Sequence, residues 1–287
     1  MDFLDKKLLK DFLPETVEAF KEYNLIDDPL FTKAAEDKRF CEEILRTILG
    51  YPELVVVRNT PQAKLQNLKG RSVVLDALCR LKGGVMVDIE VQKTDNDDHL
   101  RRVRYNGAAL TTNITKTGTK FCEVPNVIII FISTFDIFKD GYALYHVDKI
   151  VRESSRKVED GLEEIYVNSA VKDGSKVSEL MKLFVDFKAY NKDEFPVVSE
   201  SKRFYKETEE GARAMCEITE KYGKKLYKKG EEQGFAEGEA KGKSKGILFT
   251  LKNMMRNLGL TADKALDVCE VPTSERAFYL EKLNEIK

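Results

Sequence analysis

The chain has 287 residues, is 42% hydrophobic and 34% charged, and carries a formal net charge of −1. This composition allows a sizeable core and excludes a protein whose overall charge attracts nucleic acid, so any nucleic-acid site must be a local patch. Five scattered cysteines without a C-x-x-C pair, together with two histidines, argue against a disulfide framework, a thiolate zinc site and a histidine-rich metal site. The charged N-terminus is unlike a signal peptide, and the longest apolar run is too short to span a bilayer. We therefore expect a soluble cytoplasmic protein without a membrane partner.

The first part of the chain predicts helices followed by one strand. Apolar spacing predicts helical structure over residues 5–23, interrupted at Pro14, and a helix over about residues 30–49. That second helix carries two adjacent acids, Glu42 and Glu43. β-branched residues predict a strand over residues 54–58, and the polar segment 59–71 is typical of a loop.

The next segment has the pattern of a β-hairpin. Residues 72–81 are rich in β-branched and apolar types, residues 85–93 alternate apolar and polar types, and a Lys-Gly-Gly turn lies between them. Since side chains alternate along a strand, Asp88, Glu90 and Gln92 share one face.

The length of the turn decides which residues lie opposite this face. A two-residue loop at 83–84 would place Asp76 opposite Val91, on the wrong face from Glu90. A three-residue loop at 82–84 places Asp76 directly opposite Glu90, with Cβ atoms roughly 5 Å apart, close enough for two carboxylates to share one divalent cation. Three-residue hairpin loops with a glycine in the left-handed region are common. We therefore predict the odd-length loop, with Asp76 and Glu90 as metal ligands.

A helix and several strands follow the hairpin. The helix runs from the acidic cluster at 94–98 to about residue 115, with a core stripe of Leu100, Val103, Gly107, Leu110 and Ile114. Strands are predicted at 126–135, 142–147 and 164–168, and helices at about 175–190 and 200–229. A hairpin and buried strands between helices indicate an α/β fold with a mixed sheet flanked by helices.

The other face of the helix after the hairpin is polar and basic, with His99, Arg101, Arg102, Arg104 and Tyr105. Arg101 and Tyr105 lie four residues apart on one side of it. Such a pair suits contact with a phosphate, Arg101 through a charge-assisted fork. A structural Arg–Tyr pair is the alternative.

The C-terminal part changes character. Glycine recurs every fourth residue from Gly230 to Gly246, between helix-forming spacers. Each glycine costs a helix about 1 kcal/mol relative to alanine, so the segment is either a weak connector or a helix whose glycine stripe allows another helix to approach. A basic helical stripe precedes it, and its candidate phosphate contacts are Lys221, Lys225 and Lys228. A solvated surface face is the alternative for this stripe.

The last 41 residues, 247–287, predict a small helical module. One helix ends at Gly259, a second is capped by Thr261, and a third starts after Pro272. The module suits oligomerisation or capping better than DNA reading, because its last helix carries acidic residues.

Carboxylates on a strand pair suit phosphodiester hydrolysis. That reaction needs a hard divalent ion, which activates water and prefers carboxylate and carbonyl oxygens. Asp76, Glu90 and the backbone carbonyl of Val91 can supply these ligands, and Gln92 can orient the attacking water. Asp88 is either an auxiliary residue or an acid that faces solvent. Acids on a solvated strand face are also ordinary, so these residues alone leave the chemistry open.

Taken together, these segments resemble the PD-(D/E)XK nuclease-family transposases, the recombination-promoting nuclease group. The resemblance rests on Leu75-Asp76, the glycine turn and Ile89-Glu90-Val91-Gln92. It extends in the same order to further blocks: Phe31-Thr32-Lys33, Phe40 to Leu45, Gly70 to Asp76, Arg101 to Tyr105, Gly118 to Phe121, Val127 to Ile132 and Phe135 to Phe138. These blocks cover about residues 25–190.

The resemblance implies a restriction-endonuclease-like core that cleaves DNA with Mg²⁺, or with Mn²⁺ in its place. Asp76 and Glu90 match the family's metal-binding acids, and Gln92 stands where the broader superfamily usually has lysine. A neutral amide stabilises developing phosphate charge less than an ammonium does, so activity is less secure than fold. One of Glu42 or Glu43 corresponds to the acid often found on the first helix, although an exposed helix face explains both equally well.

Two functions from different classes follow. The first is a divalent-metal-dependent DNA endonuclease that acts in recombination or belongs to a mobile element. The second is a nuclease-fold protein that does not cleave and instead binds DNA or assembles into a homo-oligomer through its C-terminal helices. In both cases we expect a nuclease-like domain over residues 1–200 (core about 25–190), a long helix and glycine-repeat connector over 201–246, and a helical module over 247–287.

Overall fold

The computed structural model describes residues 7–67 and 70–284. Before the sheet come the helices α1 (Pro14–Lys21), α2 (Asp28–Ala34) and α3 (Lys38–Leu49). The strands and the helix between them are β1 (Val56–Leu65), β2 (Val73–Leu81), β3 (Met86–Gln92), α4 (His99–Ile114), β4 (Val127–Ser133), β5 (Leu144–Val147), β6 (Ile150–Val151), β7 (Arg156–Lys157) and β8 (Leu162–Asn168). The remaining helices are α5 (Lys176–Val185), α6 (Pro196–Glu207), α7 (Glu209–Leu258), α8 (Ala262–Val268) and α9 (Thr273–Asn284).

The strands form a six-stranded mixed sheet in the order β1-β2-β3-β4-β8-β5, and β6 pairs with β7 in a small separate ribbon. The first three strands pair antiparallel, whereas β3, β4 and β8 run parallel to one another. The apolar run predicted at 126–135 is the central strand β4, and parallel partners on both sides explain why it is apolar on both faces. The predicted α/β fold with a mixed sheet is therefore confirmed.

The central hairpin has the predicted odd-length loop. Ala77 pairs with Ile89 and Arg80 with Met86, and the Leu81 N–H donates to the Val85 carbonyl at 2.9 Å, which leaves residues 82–84 as the loop. Both loop glycines have positive φ, 104° and 93°, a conformation that favours glycine. One step beyond the Ala77–Ile89 pair, this register places Asp76 opposite Glu90.

Helices cover the two faces of the sheet. The face that carries Glu90 and Gln92 lies under α4, because Arg102 of that helix contacts both residues. The other face carries Val87, which is fully buried, and lies under α3, where the Cys41 thiol meets Cys79, the residue opposite Val87. The acids therefore sit between the sheet and a helix rather than on a solvated strand face.

Two of the predicted long helices are interrupted. The helix predicted over 30–49 is split into α2 and α3, because the Asp37 carboxylate accepts the Arg39 N–H at 2.9 Å and caps a new helix. The helix predicted over 200–229 breaks in the same way at Thr208, whose hydroxyl accepts the Gly211 N–H at 3.1 Å. Gly211 is needed there, since an added Cβ would lie 2.1 Å from the Phe204 carbonyl oxygen.

The predicted loop at 59–71 is wrong over its first half, because β1 continues to Leu65. This strand lies at the edge of the sheet, where a proline such as Pro61 is tolerated and polar residues face outward. The core stripe of α4 contains Val103, Gly107 and Leu110 as predicted. Its first position is His99, which is 5% exposed, rather than Leu100, which is 49% exposed. The His99 ring packs against Phe131 and Phe135, with centroids 5.4 and 4.8 Å away.

The chain divides into two compact units, residues 1–220 and 221–287. In the second unit, helical structure continues through the glycine repeat to Leu258, and Leu251, Ala265, Leu266, Val271, Tyr279 and Leu283 form a core with α8 and α9. Gly259 takes a φ of +65° after α7, and the Thr261 hydroxyl caps α8. The predicted helical module is present, while its role in oligomerisation and the finer three-part division of the chain stay predictions.

Candidate active site

The site lies where the pairing of β2 and β3 ends. The backbone pairing of the two strands runs as far as Ala77 and Ile89. At the next position the carboxylates of Asp76 and Glu90, instead of backbone carbonyls, accept the hydrogen bonds across the strands. Glu90 Oε1 accepts the Asp76 N–H at 3.1 Å, and Asp76 Oδ2 accepts the Val91 N–H at 3.0 Å. Each carboxylate is thus held by the backbone of the opposite strand, which fixes the two acids side by side.

Both acids are withdrawn from solvent. Asp76 is 7% exposed and Glu90 is 1% exposed. Burial raises the pKa of Asp76, and the negative charges of Glu90 and Asp28 raise it further. Burial also raises the pKa of Glu90, although the Arg102 guanidinium offsets part of that rise. Two carboxylates that resist ionisation together would be stabilised as anions by a cation placed between them.

Asp88 lies close to Glu90 on the same face of β3. It is completely buried, and no donor of residues 7–67 or 70–284 reaches its oxygens when the carboxyl is ionised; when it is protonated, it shares a hydrogen bond with the Glu90 carboxylate. Burial raises its pKa strongly, and the charges of Glu90 and Asp76 add to that rise. The alternative that Asp88 faces solvent is therefore wrong, because α4 covers this face of β3.

Gln62 joins the site from β1, in the segment for which the polar sequence predicts a loop. Its position falls between the Pro61–Ala77 and Ala63–Leu75 pairs, directly across from Asp76. Its amide donates to Asp76 Oδ1 at 3.3 Å, and its φ is +50°, which is unusual for a residue with a side chain. No local sequence signal reveals this, because the contact depends on the register between two strands.

Gln92 and Arg102 close the other end of the site. Arg102 donates from Nη1 to Gln92 Oε1 at 2.7 Å and from Nη2 to Glu90 Oε2 at 3.1 Å. Gln92 in turn donates from Nε2 to the Thr94 carbonyl at 2.7 Å. The Gln92 amide is therefore engaged at both ends, and its prediction as the residue that orients water stays untested.

A comparison with protein-family models shows which family contains this hairpin. The model described as "PD-(D/E)XK nuclease family transposase" matches residues 28–184, more than half of the chain and all of the sheet. The chain belongs to this family. No curated protein and no solved structure matches it. The resemblance given by the sequence blocks is confirmed, and the observed mixed sheet between helices is consistent with the PD-(D/E)XK nuclease fold.

The predicted phosphate contacts of the PD-(D/E)XK chain lie at different places. Arg101 is exposed on α4, and the Tyr105 hydroxyl donates to the Arg71 carbonyl at 2.5 Å. Tyr105 borders a cavity of about 620 Å³ between α4 and the β1–β2 connection, lined by Leu65, Gln66, Asn67, Arg71, Tyr105, Ala108, Ala109, Thr112 and Asn113. Lys221 and Lys228 belong to the second compact unit, and the side chain of Lys225 lies outside the described part.

Glu42 and Glu43 are occupied elsewhere. Glu42 Oε2 accepts the Val56 N–H at 2.8 Å and its other oxygen pairs with Arg46 at 2.6 Å. Glu43 accepts the Val198 N–H at 2.7 Å at the start of α6. The helical acid whose charge acts on Asp76 is instead Asp28, at the start of α2. Sequence reasoning missed it because it precedes the apolar stripe.

The donors at the strand end are suited to a hard divalent cation. Among the described residues, no three His, Cys, Asp or Glu side chains converge on a ready-made metal site. The buried carboxylate oxygens of Asp88 nevertheless lack a donor, and those of Asp76 and Glu90 carry raised pKa values. Oxygen ligands and excess negative charge are what Mg²⁺ and Mn²⁺ prefer, so the residues fit the ion that the fold implies. Within the described residues, no helix is both long and apolar enough to cross a membrane.

Proposed function

We propose that the chain is a divalent-metal-dependent DNA endonuclease that acts in recombination or in the movement of a genetic element. One observation carries the proposal: the hairpin register brings Asp76 and Glu90 together in a buried position within a chain of the nuclease family. Asp76, Glu90 and the Val91 carbonyl are the proposed ligands of Mg²⁺ or Mn²⁺. The bound ion would polarise the phosphate and lower the pKa of a bound water.

The residues around these acids have distinct tasks in this proposal. Gln62 and the Val91 N–H hold the Asp76 carboxylate, and the Asp76 N–H and Arg102 hold that of Glu90. The buried charge of Asp88 adds to the attraction for a cation from beneath the site. The cavity beside Tyr105 gives a nucleic-acid strand room along α4, next to the turn that carries Arg102.

Cleavage of supercoiled plasmid DNA in Mg²⁺ and in Mn²⁺ tests the proposal. We expect divalent-dependent nicking that falls at least about 100-fold in Asp76→Asn and Glu90→Gln. These changes keep an oxygen that can accept the backbone N–H, so folding should be preserved. Glu42→Gln serves as a control, because Glu42 bonds to Val56 and Arg46 outside the site.

Full cleavage by both site variants would show that the metal ligands are assigned wrongly. Absence of wild-type cleavage in every divalent metal, with DNA binding or self-association retained, would favour the non-catalytic alternative. Two features support this alternative. The Gln92 amide is already hydrogen-bonded at both ends. The glycine stripe of α7 is open, since no described atom lies within 4 Å of an added Cβ at Gly230 or Gly246. Self-association and cytoplasmic location stay predictions.

A further inference from the structure

The candidate site contains three buried acids and a neutral glutamine, yet a phosphodiester that enters it brings further negative charge. A metal ion neutralises part of this charge, and a protein cation that contacts the phosphate lowers the barrier further. Gln92 cannot supply that charge, since an amide is neutral. The cation would have to be a neighbouring side chain with unused donors.

The basic residues that follow β3 most closely along the chain are Lys93, Arg101 and Arg102. The Lys93 ammonium is paired with Asp27 at 2.8 Å. Arg101 is exposed and has no ion-pair or hydrogen-bond partner among the described residues. Arg102 alone of the three contacts the site, through Glu90 and Gln92.

The contacts of Arg102 hold its guanidinium without using all of it. A guanidinium has five N–H donors in a planar fork, and two hydrogen bonds are formed here. Its side chain is 36% exposed, whereas that of Glu90 is 1% exposed. Arg102 thus lies at the mouth of the site, with its inner edge on Glu90 and Gln92 and further donors available to a ligand that arrives from solvent.

We propose that Arg102 is the residue of this site that contacts the substrate phosphate, and that Gln92 holds its guanidinium in place. The inference rests on the proposed function, since it takes DNA as the ligand. In this proposal Gln92 is not a weakened replacement for the catalytic lysine. Its role is to hold the permanently charged Arg102 guanidinium in position. Arginine suits this task, because its planar fork binds carboxylate and phosphate oxygens with paired hydrogen bonds.

The first test measures DNA binding without cleavage. A fluorescent duplex is titrated in Ca²⁺ at several salt concentrations with wild type, Arg102→Met and Arg39→Met. Loss of one phosphate contact makes the slope of log K against log salt shallower by about 0.9. We expect this change in Arg102→Met, with affinity about 10-fold lower. We expect a wild-type slope in Arg39→Met, which removes the same charge from α3, where Arg39 pairs with Asp37.

The second test moves the charge to the neighbouring strand. In Mg²⁺, Arg102→Met should cleave at least about 100-fold more slowly, and Gln92→Lys added to Arg102→Met should recover at least tenfold of that loss. A residue that only supports the fold would not be replaced by a lysine at another position. If Arg102→Met does not fold, as judged by thermal unfolding, Arg102→Gln takes its place in both tests, because it keeps a donor for Gln92 without the charge.

The outcomes separate the two proposals. A wild-type salt slope in the Arg102 variant, or cleavage within twofold of wild type, overturns the role of Arg102 and leaves the nuclease assignment intact. Binding by wild type without cleavage in any metal overturns the nuclease assignment, and the salt slope still decides whether Arg102 meets a phosphate.

Discussion

Asp88→Asn is expected to stabilise the metal-free protein near neutral pH. Asp88 is fully buried, and neither of its carboxylate oxygens has a donor within the described residues. Asparagine has nearly the same size and carries no charge, so the substitution removes a buried anion without opening a cavity. A cation bound at the neighbouring acids would offset the charge of this buried carboxylate.

The magnitude follows from burial and from proton linkage. A buried polar group without a partner costs about 1–3 kcal/mol, and more if it is charged. The asparagine amide keeps part of this cost, so we expect a net gain of about 1–2 kcal/mol at pH 7.5, or roughly 2–6 °C in the unfolding midpoint.

The sign with pH is determined by the raised pKa of Asp88 in the folded state. The unfolded chain releases this proton near pH 4, while the folded chain retains it to higher pH. Wild-type stability therefore falls by up to about 1.4 kcal/mol per pH unit above pH 4, until the folded carboxyl ionises. The asparagine variant lacks this fall, so the difference between the two proteins should vanish near pH 4 and grow toward neutral pH.

Urea unfolding in EDTA at pH 4.5, 5.5, 6.5 and 7.5 measures this difference. Asp136→Asn is the control of opposite sign: burial acts to raise the pKa of Asp136, but hydrogen bonds from Tyr145 and from backbone N–H groups, that of Gly141 among them, lower it overall. Because Asp136 titrates below about pH 4, that variant should be less stable than wild type by a nearly constant amount at all four pH values. If Asp88→Asn destabilises equally at all four pH values, the carboxylate has a donor in solution and the reasoning is refuted.

Three further predictions concern the scaffold. Glu43→Ala should lower the free energy of unfolding in urea by about 1–2 kcal/mol, because Glu43 accepts the Val198 N–H at the start of α6. Glu43→Gln should leave DNA cleavage unchanged. Loss of cleavage in that variant would instead place Glu43 in the active site. Lys202 is fully buried, and burial lowers its pKa and that of Lys206 to about 8. The unfolded chain therefore binds more protons between about pH 8 and 10.5, and each lysine should raise stability there by up to about 1.4 kcal/mol per pH unit; unfolding measured across that range should show about half of the rise in Lys202→Met. Gly107→Ala would bring a Cβ to 3.1 Å from Leu162 Cδ1. Overpacking of about 1–3 kcal/mol outweighs the gain of about 1 kcal/mol in helix propensity, so we expect a lower midpoint in thermal unfolding, whereas a raised midpoint would show that Leu162 moves aside without cost.

Sequence reasoning succeeded where the signal is local and periodic. The alternation in β3, the glycine turn and the parity of the loop together fix the pairing of Asp76 with Glu90, and the structure has that register. The apolar run of β4 and the caps in the C-terminal module are signals of the same kind.

It failed where a contact depends on distant parts of the chain. Arg102, rather than Arg101, meets the acids, next to the buried Val103, and the first turn of α4 buries His99 against Phe131 and Phe135 in place of Leu100. Gln62 reaches Asp76 only through strand register. A prediction from apolar spacing alone assigns His99 to the exposed face of the helix. The imidazole is nevertheless buried, because it packs against two aromatic rings and its Nε2 lies 2.8 Å from the Asp95 carboxylate.

The three-residue turn of the hairpin has a consequence for how such a chain can vary. Turns at the surface ordinarily tolerate insertion and deletion freely. Here a change of one residue would exchange the two faces of β3 relative to Asp76, so the chain would keep its strands and lose its acid pair. A change of two residues would restore the facing but move the partner of Asp76 along the strand. Drift in the length of this turn is therefore as damaging to the acid pair as loss of an acid itself, even though no atom of the turn belongs to the site.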